Sequence, residues 1–307
     1  MSESAPSNRV VGPYTLLEKL GHNNVSAVFR ARHIYTENVV ALRIISQAED
    51  DADVKRFLAE IEHAARIRHR SLVSILDYGA EGENVFIAMP LLRGRSLQQR
   101  LDYLYDKHGV DRRDPLPPEV LPSLGEVADL LERIGDGLDH CHEHDYIHHH
   151  LQPRNILFDE EGAAYLADTG LAKLFKVIFS LRATHAVNTH PFSPPEQWNG
   201  EKLVPASDQY AMAGIVYLLV TGKSAFHAAT IFGMMDRHLN DFPMPPHLIR
   251  PGVPGGMTNV LIKAMAKPPE MRYKSMTDFV LDFRQAIFGH EGDASTFFTF
   301  PLSDTAE

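Results

Sequence analysis

The apolar periodicity of this chain changes once, near residue 92, and that change limits the folds open to it. Before it, short runs rich in β-branched and aromatic residues dominate: "YTLLEKLG", "SAVFRARH", "NVVALRII" and "VFIAMPLL", with Gly21, Asn23 and Asn24 as turn residues between the first two. One helix interrupts them. Residues 52–69 place Val54, Phe57, Leu58, Ile61, Ala64, Ala65 and Ile67 on one stripe of helical period. After residue 92 the long periodic segments read as helices, at 123–144, 207–221, 228–239, 256–266 and 276–288. The expectation is an α+β chain with a small sheet-rich lobe at 13–91 and a larger, mainly helical lobe at 92–288. Prolines and charges in "YDKHGVDRRDPLPPEVLP" read as a surface insert at about 103–122. Residues 1–12 and 289–307 carry weak patterns and are expected to be poorly ordered tails.

Composition narrows the partners. A chain of 307 residues with 44% hydrophobic and 23% charged residues can bury a sizeable core. Its net charge of −10, with no long Lys/Arg run, argues against broad phosphate neutralisation on nucleic acid and favours protein or small-molecule partners. The single cysteine, Cys141, excludes an intrachain disulfide and suits a reducing cytoplasm. No apolar window of about 18 residues is present, and "MSESAPSNRV" lacks the order of a secretion signal. The expectation is a soluble cytoplasmic protein with no membrane segment.

Eight short motifs follow one another in a fixed order: "LGHNNVSAVFRA", "VALR", Glu60 on the first helix, "FIAMPLL", "IHHHLQPRNILF", "LADTGLA", "FSPPEQW" leading into "SDQYAMAGIVYLLVTGKSAF", and "AKPPEMRY". In order and spacing they resemble the protein kinases, most of all the bacterial serine/threonine kinases of the membrane-receptor type, over residues 14–288. The resemblance implies a bilobal fold with a five-stranded sheet and one helix in the first lobe. It implies a nucleotide cradle of Gly21, Asn23, Ser26, Val28, Ala41, Arg43, Glu60, the hinge residues Met89, Pro90 and Leu92, and Leu157. It further implies magnesium ligands at Asn155 and Asp168. Small-molecule phosphotransferases of related fold usually lack the long segment ending in Pro-Glu. Glu196, Asp208 and Arg272 stand where protein kinases brace their fold, which favours that branch.

The chemical positions are altered. Phosphoryl transfer needs ATP held by a glycine-rich loop and a lysine, metal held by an aspartate and an asparagine, and a base for the substrate hydroxyl. In the phosphate loop Gly21 remains, while Asn23 and Ser26 stand where close backbone approach favours glycine. Arg43 replaces the lysine. Its planar fork suits a structural ion pair with Glu60 better than a phosphate clamp. In the loop, His148 matches a retained structural histidine, His149 a phosphate-reading arginine, His150 the catalytic aspartate and Gln152 a lysine. Asn155 and Asp168 are kept, and Thr169 replaces a phenylalanine. Thr189 matches a threonine that usually abuts the catalytic aspartate. Losing a general base typically costs ~10²–10⁴ in rate.

Histidines at 140, 142, 144 and 148–150 raise the question of zinc. His140 and His144 have helical i, i+4 spacing, yet the resemblance gives His142 and His148 structural roles, and adjacent histidines point apart. The leading reading is a kinase fold kept as a regulatory or protein-binding module, a pseudokinase with weak or absent ATP and magnesium binding. The alternative is a slow serine/threonine kinase that uses His150 as base and Arg43 on the phosphates. A third reading is an ATP sensor that binds without transfer.

Overall fold

The computed structural model describes residues 9–22, 26–46, 51–82, 84–169 and 191–288. They divide into two compact units. The first holds the described residues up to Arg93 together with Asp168 and Thr169; the second holds Gly94–Ala167 and residues 191–288.

The first unit is built on an antiparallel sheet of β1 (Val10–Val11), β2 (Tyr14–His22), β3 (Ser26–His33), β4 (Val39–Ser46), β5 (Asp77–Glu81) and β6 (Asn84–Pro90), in the order β1-β2-β3-β4-β6-β5. The bilobal kinase plan holds, with one more strand than the five expected. Val10 and Val11 belong to the sheet and not to a tail, because they pair with Thr15 and Tyr14 and bury Val11. Gly12 makes the return at φ +54°, where an added Cβ would lie 2.6 Å from the Phe86 ring. β5 has no apolar alternation, so its place follows from pairing with β6.

Strand alternation separates two cores. On one face Val11, Tyr14, Leu16, Leu42, Ile44 and Phe86 pack together. On the other, Ile45, Val85, Ile87 and Met89 pack against Phe57 and Ile61 of helix α1 (Asp51–Arg66). Phe57 and Ile61 are fully buried, each worth ~1.5–3 kcal/mol by area. Arg43 shares the parity of Ile45 on β4, so it stands on the α1 side of the sheet.

The second unit contains α2 (Leu97–His108), α3 (Leu124–Glu143), the hairpin of β7 (Ile156–Phe158) and β8 (Ala164–Leu166), then α4 (Pro195–Trp198), α5 (Pro205–Thr221), α6 (Ile231–Asn240), α7 (Gly256–Ala264) and α8 (Met276–Phe288). Capping boxes start α2 at Ser96 with Gln99 and α3 at Ser123 with Glu126. Asp139 of α3 accepts from the amides of Met276 and Thr277, tying α8 to α3. Helix α5 is buried all round from Ser207 to Thr221, as a central helix must be.

The insert at 103–122 differs from the expected solvated loop. Its first residues complete α2, which ends at a left-handed Gly109. Buried Tyr105 donates to the Gly222 carbonyl at 2.7 Å, and the amide of buried Leu116 donates to the same oxygen at 3.0 Å. Two apolar anchors among the charges thus hold the segment to the end of α5. No described helix is long and apolar enough to cross a membrane.

Candidate active site

In the second unit the segment 146–158 is held mainly through its backbone. Asp208, on the first turn of α5, is 2% exposed. Its carboxylate accepts from the amide of His148 at 2.8 Å, the amide of His149 at 3.0 Å and the Nε2–H of His142 at 2.9 Å. Burial alone would raise this carboxyl, but the hydrogen bond and charge of His142, with His148, outweigh it and hold the group below the usual carboxylate range. The two histidines expected to be structural, His142 and His148, are therefore both on this carboxylate. His148 also donates its Nε2–H to the Ala167 carbonyl at 2.9 Å, leaving Nδ1 to accept from the His150 amide at 3.3 Å.

These contacts dictate the backbone at the next residue. His149 sits at φ +67°, a region costly for a residue with a Cβ and kept here by the two amides on either side of its Cα. Asn155 donates its side-chain amide to the His150 carbonyl at 2.8 Å, and its own carbonyl accepts from Ala167. Gln152 is buried, and its Nε2 has no partner among the described residues. Leu157 lies in β7 and bridges to Ser96.

A second device of the same unit supports α4. Arg272 and Glu196 form a two-pronged pair at 2.8 and 2.9 Å, with side chains 0% and 3% exposed. Arg272 also donates to the carbonyls of Ala206, Ala266 and Lys267. All five of its N–H groups are thereby engaged. Burial opposes ionisation of Glu196, yet the hydrogen bond and charge of Arg272, with Ser207, lower its pKa on balance. Two further contacts, which the motifs do not indicate, also brace this unit. Gly94 lies so close to Asp159 that an added Cβ would meet its carbonyl oxygen at 2.0 Å, and Arg100 lies 3.6 Å over the Phe158 ring. A glycine after a strand and an arginine on a helix carry no signal of either contact in sequence.

In the first unit the cradle residues fall on neighbouring strands. Gly21 pairs with Val28, Val28 with Arg43, Ser26 with Ile45 and Ala41 with Met89. Met89 and Pro90 end β6, and Leu92 follows it. Gly21 has open space where a Cβ would be, whereas Ser26 is buried. Asn23 and Thr189 lie outside the described residues.

Arg43 does not take the partner expected from its spacing. Its guanidinium Nη2 donates to Asp168 Oδ1 at 2.6 Å, with side chains 12% and 17% exposed, and not to Glu60. The Nε–H of Arg43 and the hydroxyl of Thr169 are buried without a partner among the described residues. Asp168 itself sits at φ +62°. The residue that should carry a phosphate and the one that should carry a metal are thus engaged with each other. In this arrangement Asp168 does not fit the role of a ligand to a divalent cation, because its carboxylate is compensated by a guanidinium.

The histidine cluster shows no metal geometry either. The rings of His140 and His144 are 4.5 Å apart, and His144 Nδ1 donates to the His140 carbonyl. Among the described residues no group of three or more His, Cys, Asp or Glu side chains is placed to hold a metal.

A loop braced through its backbone by a buried aspartate, and a Glu-Arg pair under a buried helix, define a protein kinase scaffold. The family model for the protein kinase domain matches residues 14–274, and the chain belongs to this family. Its relatives include serine/threonine-protein kinase PknD of Mycobacterium tuberculosis, 30% identical over 300 residues, covering 96% of this chain and 43% of that protein. Another is serine/threonine-protein kinase PrkC of Bacillus subtilis, 27% identical over 281 residues, covering 91% and 41%. The chain thus spans about two-fifths of the length of these relatives. The crystal structure of the Mycobacterium tuberculosis PknI kinase domain matches with a TM-score of 0.68 at 23% identity, over 92% of this chain and 100% of that one. At that identity the likeness speaks for the fold.

Proposed function

We propose that this kinase domain acts as a regulatory, protein-binding module with little or no phosphoryl transfer. The observation that carries the reading is the catalytic loop, whose backbone is braced by Asp208 while His150 and Gln152 stand in place of the carboxylate and the lysine. A neutral imidazole can accept a proton near neutral pH, but it brings neither the negative charge nor the orientation of a carboxylate beside a phosphate. Loss of the lysine removes electrostatic stabilisation of the transferring group as well. Scaffold residues kept beside altered chemical residues favour selection for a surface over selection for turnover. The acidic chain, with net charge −10, suits a protein partner better than nucleic acid.

The test is incubation of the purified chain with labelled ATP, magnesium or manganese, and generic protein substrates. Transfer is expected to fall at least ~10²-fold below that of an active kinase domain measured in parallel, the lower bound for losing a general base. Robust turnover that disappears in His150→Ala would replace the reading with that of a slow serine/threonine kinase.

A further inference from the structure

The first unit contains a half-buried cation with unused hydrogen-bonding capacity. Arg43 spends Nη2 on Asp168 at 2.6 Å, while its Nε–H, inaccessible to solvent, has no partner among the described residues. Folded proteins rarely leave such a donor unmet, and the strongest partner for a guanidinium N–H is an anionic oxygen. The strand register places Arg43 opposite Val28, and Val28 opposite Gly21, where the backbone is open. The Asp168 carboxylate, by contrast, already carries its counter-charge. A divalent cation arriving there would have to displace that guanidinium or sit beside it against like-charge repulsion.

From this we infer that Arg43 is the resident cation of the site, and that the domain takes a nucleoside di- or triphosphate as the metal-free anion. The inference rests on the reading of a kinase fold without transfer, and deepens it by fixing the ionic form of the ligand. Asp168 then acts as a competitor for the guanidinium, the reverse of its role as a metal ligand. No covalent bond is made or broken in this step. A phosphate oxygen accepts from Arg43, and Asp168 loses part or all of its share.

Titration calorimetry of the whole chain with ATP in EDTA, ATP with magnesium, and adenosine tests the inference. ATP is expected to bind in EDTA with an affinity within about threefold of that in magnesium, and adenosine to bind at least about tenfold more weakly, since it lacks the anionic oxygens that a guanidinium prefers. Asp168→Asn should tighten ATP binding in EDTA, whereas removal of a metal ligand would weaken ATP binding in magnesium. Arg43→Met should lower affinity in EDTA by about tenfold or more, one charge-assisted contact's worth. A far-UV spectrum and melting temperature establish that each variant is folded; the wild-type comparison needs no variant. A tenfold gain on adding magnesium, equal affinity for adenosine and ATP, or no binding in EDTA each overturns the inference. The last leaves the reading of a module without transfer standing, while turnover in the transfer assay removes that reading whatever the calorimetry gives.

Discussion

Each unit of this kinase domain contains an arginine that bonds a carboxylate far away in sequence, and the two pairs are built differently. Arg272 and Glu196 meet through two prongs, and every remaining N–H of the arginine lies on a backbone carbonyl. Arg43 and Asp168 meet through a single prong, Nη2 to Oδ1, with a buried Nε–H that has no partner among the described residues and with more of both side chains exposed. Ion pairing in a protein interior offsets desolvation only when all donors and acceptors are satisfied. The first pair meets that condition and is structural. The second does not, which marks a place where another anion can enter.

Breaking the saturated pair should have the largest effect. Glu196→Ala leaves a buried guanidinium without its carboxylate and should destabilise the second unit by ~3–5 kcal/mol, read by urea unfolding. A loss under about 1 kcal/mol would show that the carbonyls alone hold Arg272. Breaking the unsaturated pair should cost less. Arg43→Met is expected to lose about 1.5–3 kcal/mol, nearer to a single charged hydrogen bond than to a buried network. A loss as large as that of Glu196→Ala would erase the distinction between the two sites.

A smaller effect, spread over pH, sharpens the same comparison. His238 is 1% exposed, accepts from the Tyr210 hydroxyl through Nδ1 and donates to the Pro191 carbonyl through Nε2. Burial, aided by the charge of Lys267, pushes its pKa down to about 3. Lys267 also gives its carbonyl to Arg272, so this histidine lies beside the saturated pair. Because the folded pKa is depressed below the unfolded value of ~6.5, the unfolded chain binds a proton first as pH falls. Stability contributed by neutral His238 is present above ~6.5 and declines toward about 3, by up to ~1.4 kcal/mol per pH unit within that window. Urea midpoints between about pH 7.5 and 5 should show this slope, and His238→Gln should flatten it. An equal slope in the variant would assign the acid sensitivity elsewhere.

Much of the scaffold is legible in the residue pattern. Apolar and β-branched runs mark β2, β3, β4 and β6 to within two residues at each end, because these strands bury side chains in the core around Phe86, and β4 and β6 also bury them against α1. The family likeness points to Asp208, Glu196 and Arg272 as braces, and their contacts are those of braces. Three features are not legible there. The Val10–Val11 strand is too short for a pattern, and its pairing depends on a turn at Gly12. The charged insert conceals two apolar anchors, Tyr105 and Leu116, whose shared acceptor at Gly222 is more than 100 residues away. Motif spacing makes Asp168 a metal ligand and Arg43 the partner of Glu60, whereas the two bond each other across 125 positions.

By itself the sequence determined which chemical groups stand at each position of the kinase scaffold: histidine for the base, glutamine and arginine for the two lysines. These are covalent facts, and motif order assigns them. Only the tertiary structure decided which carboxylate Arg43 would meet. A long, charged side chain on a buried strand face has more than one acidic residue in prospect, and the choice depends on distances and burial that no spacing along the chain encodes.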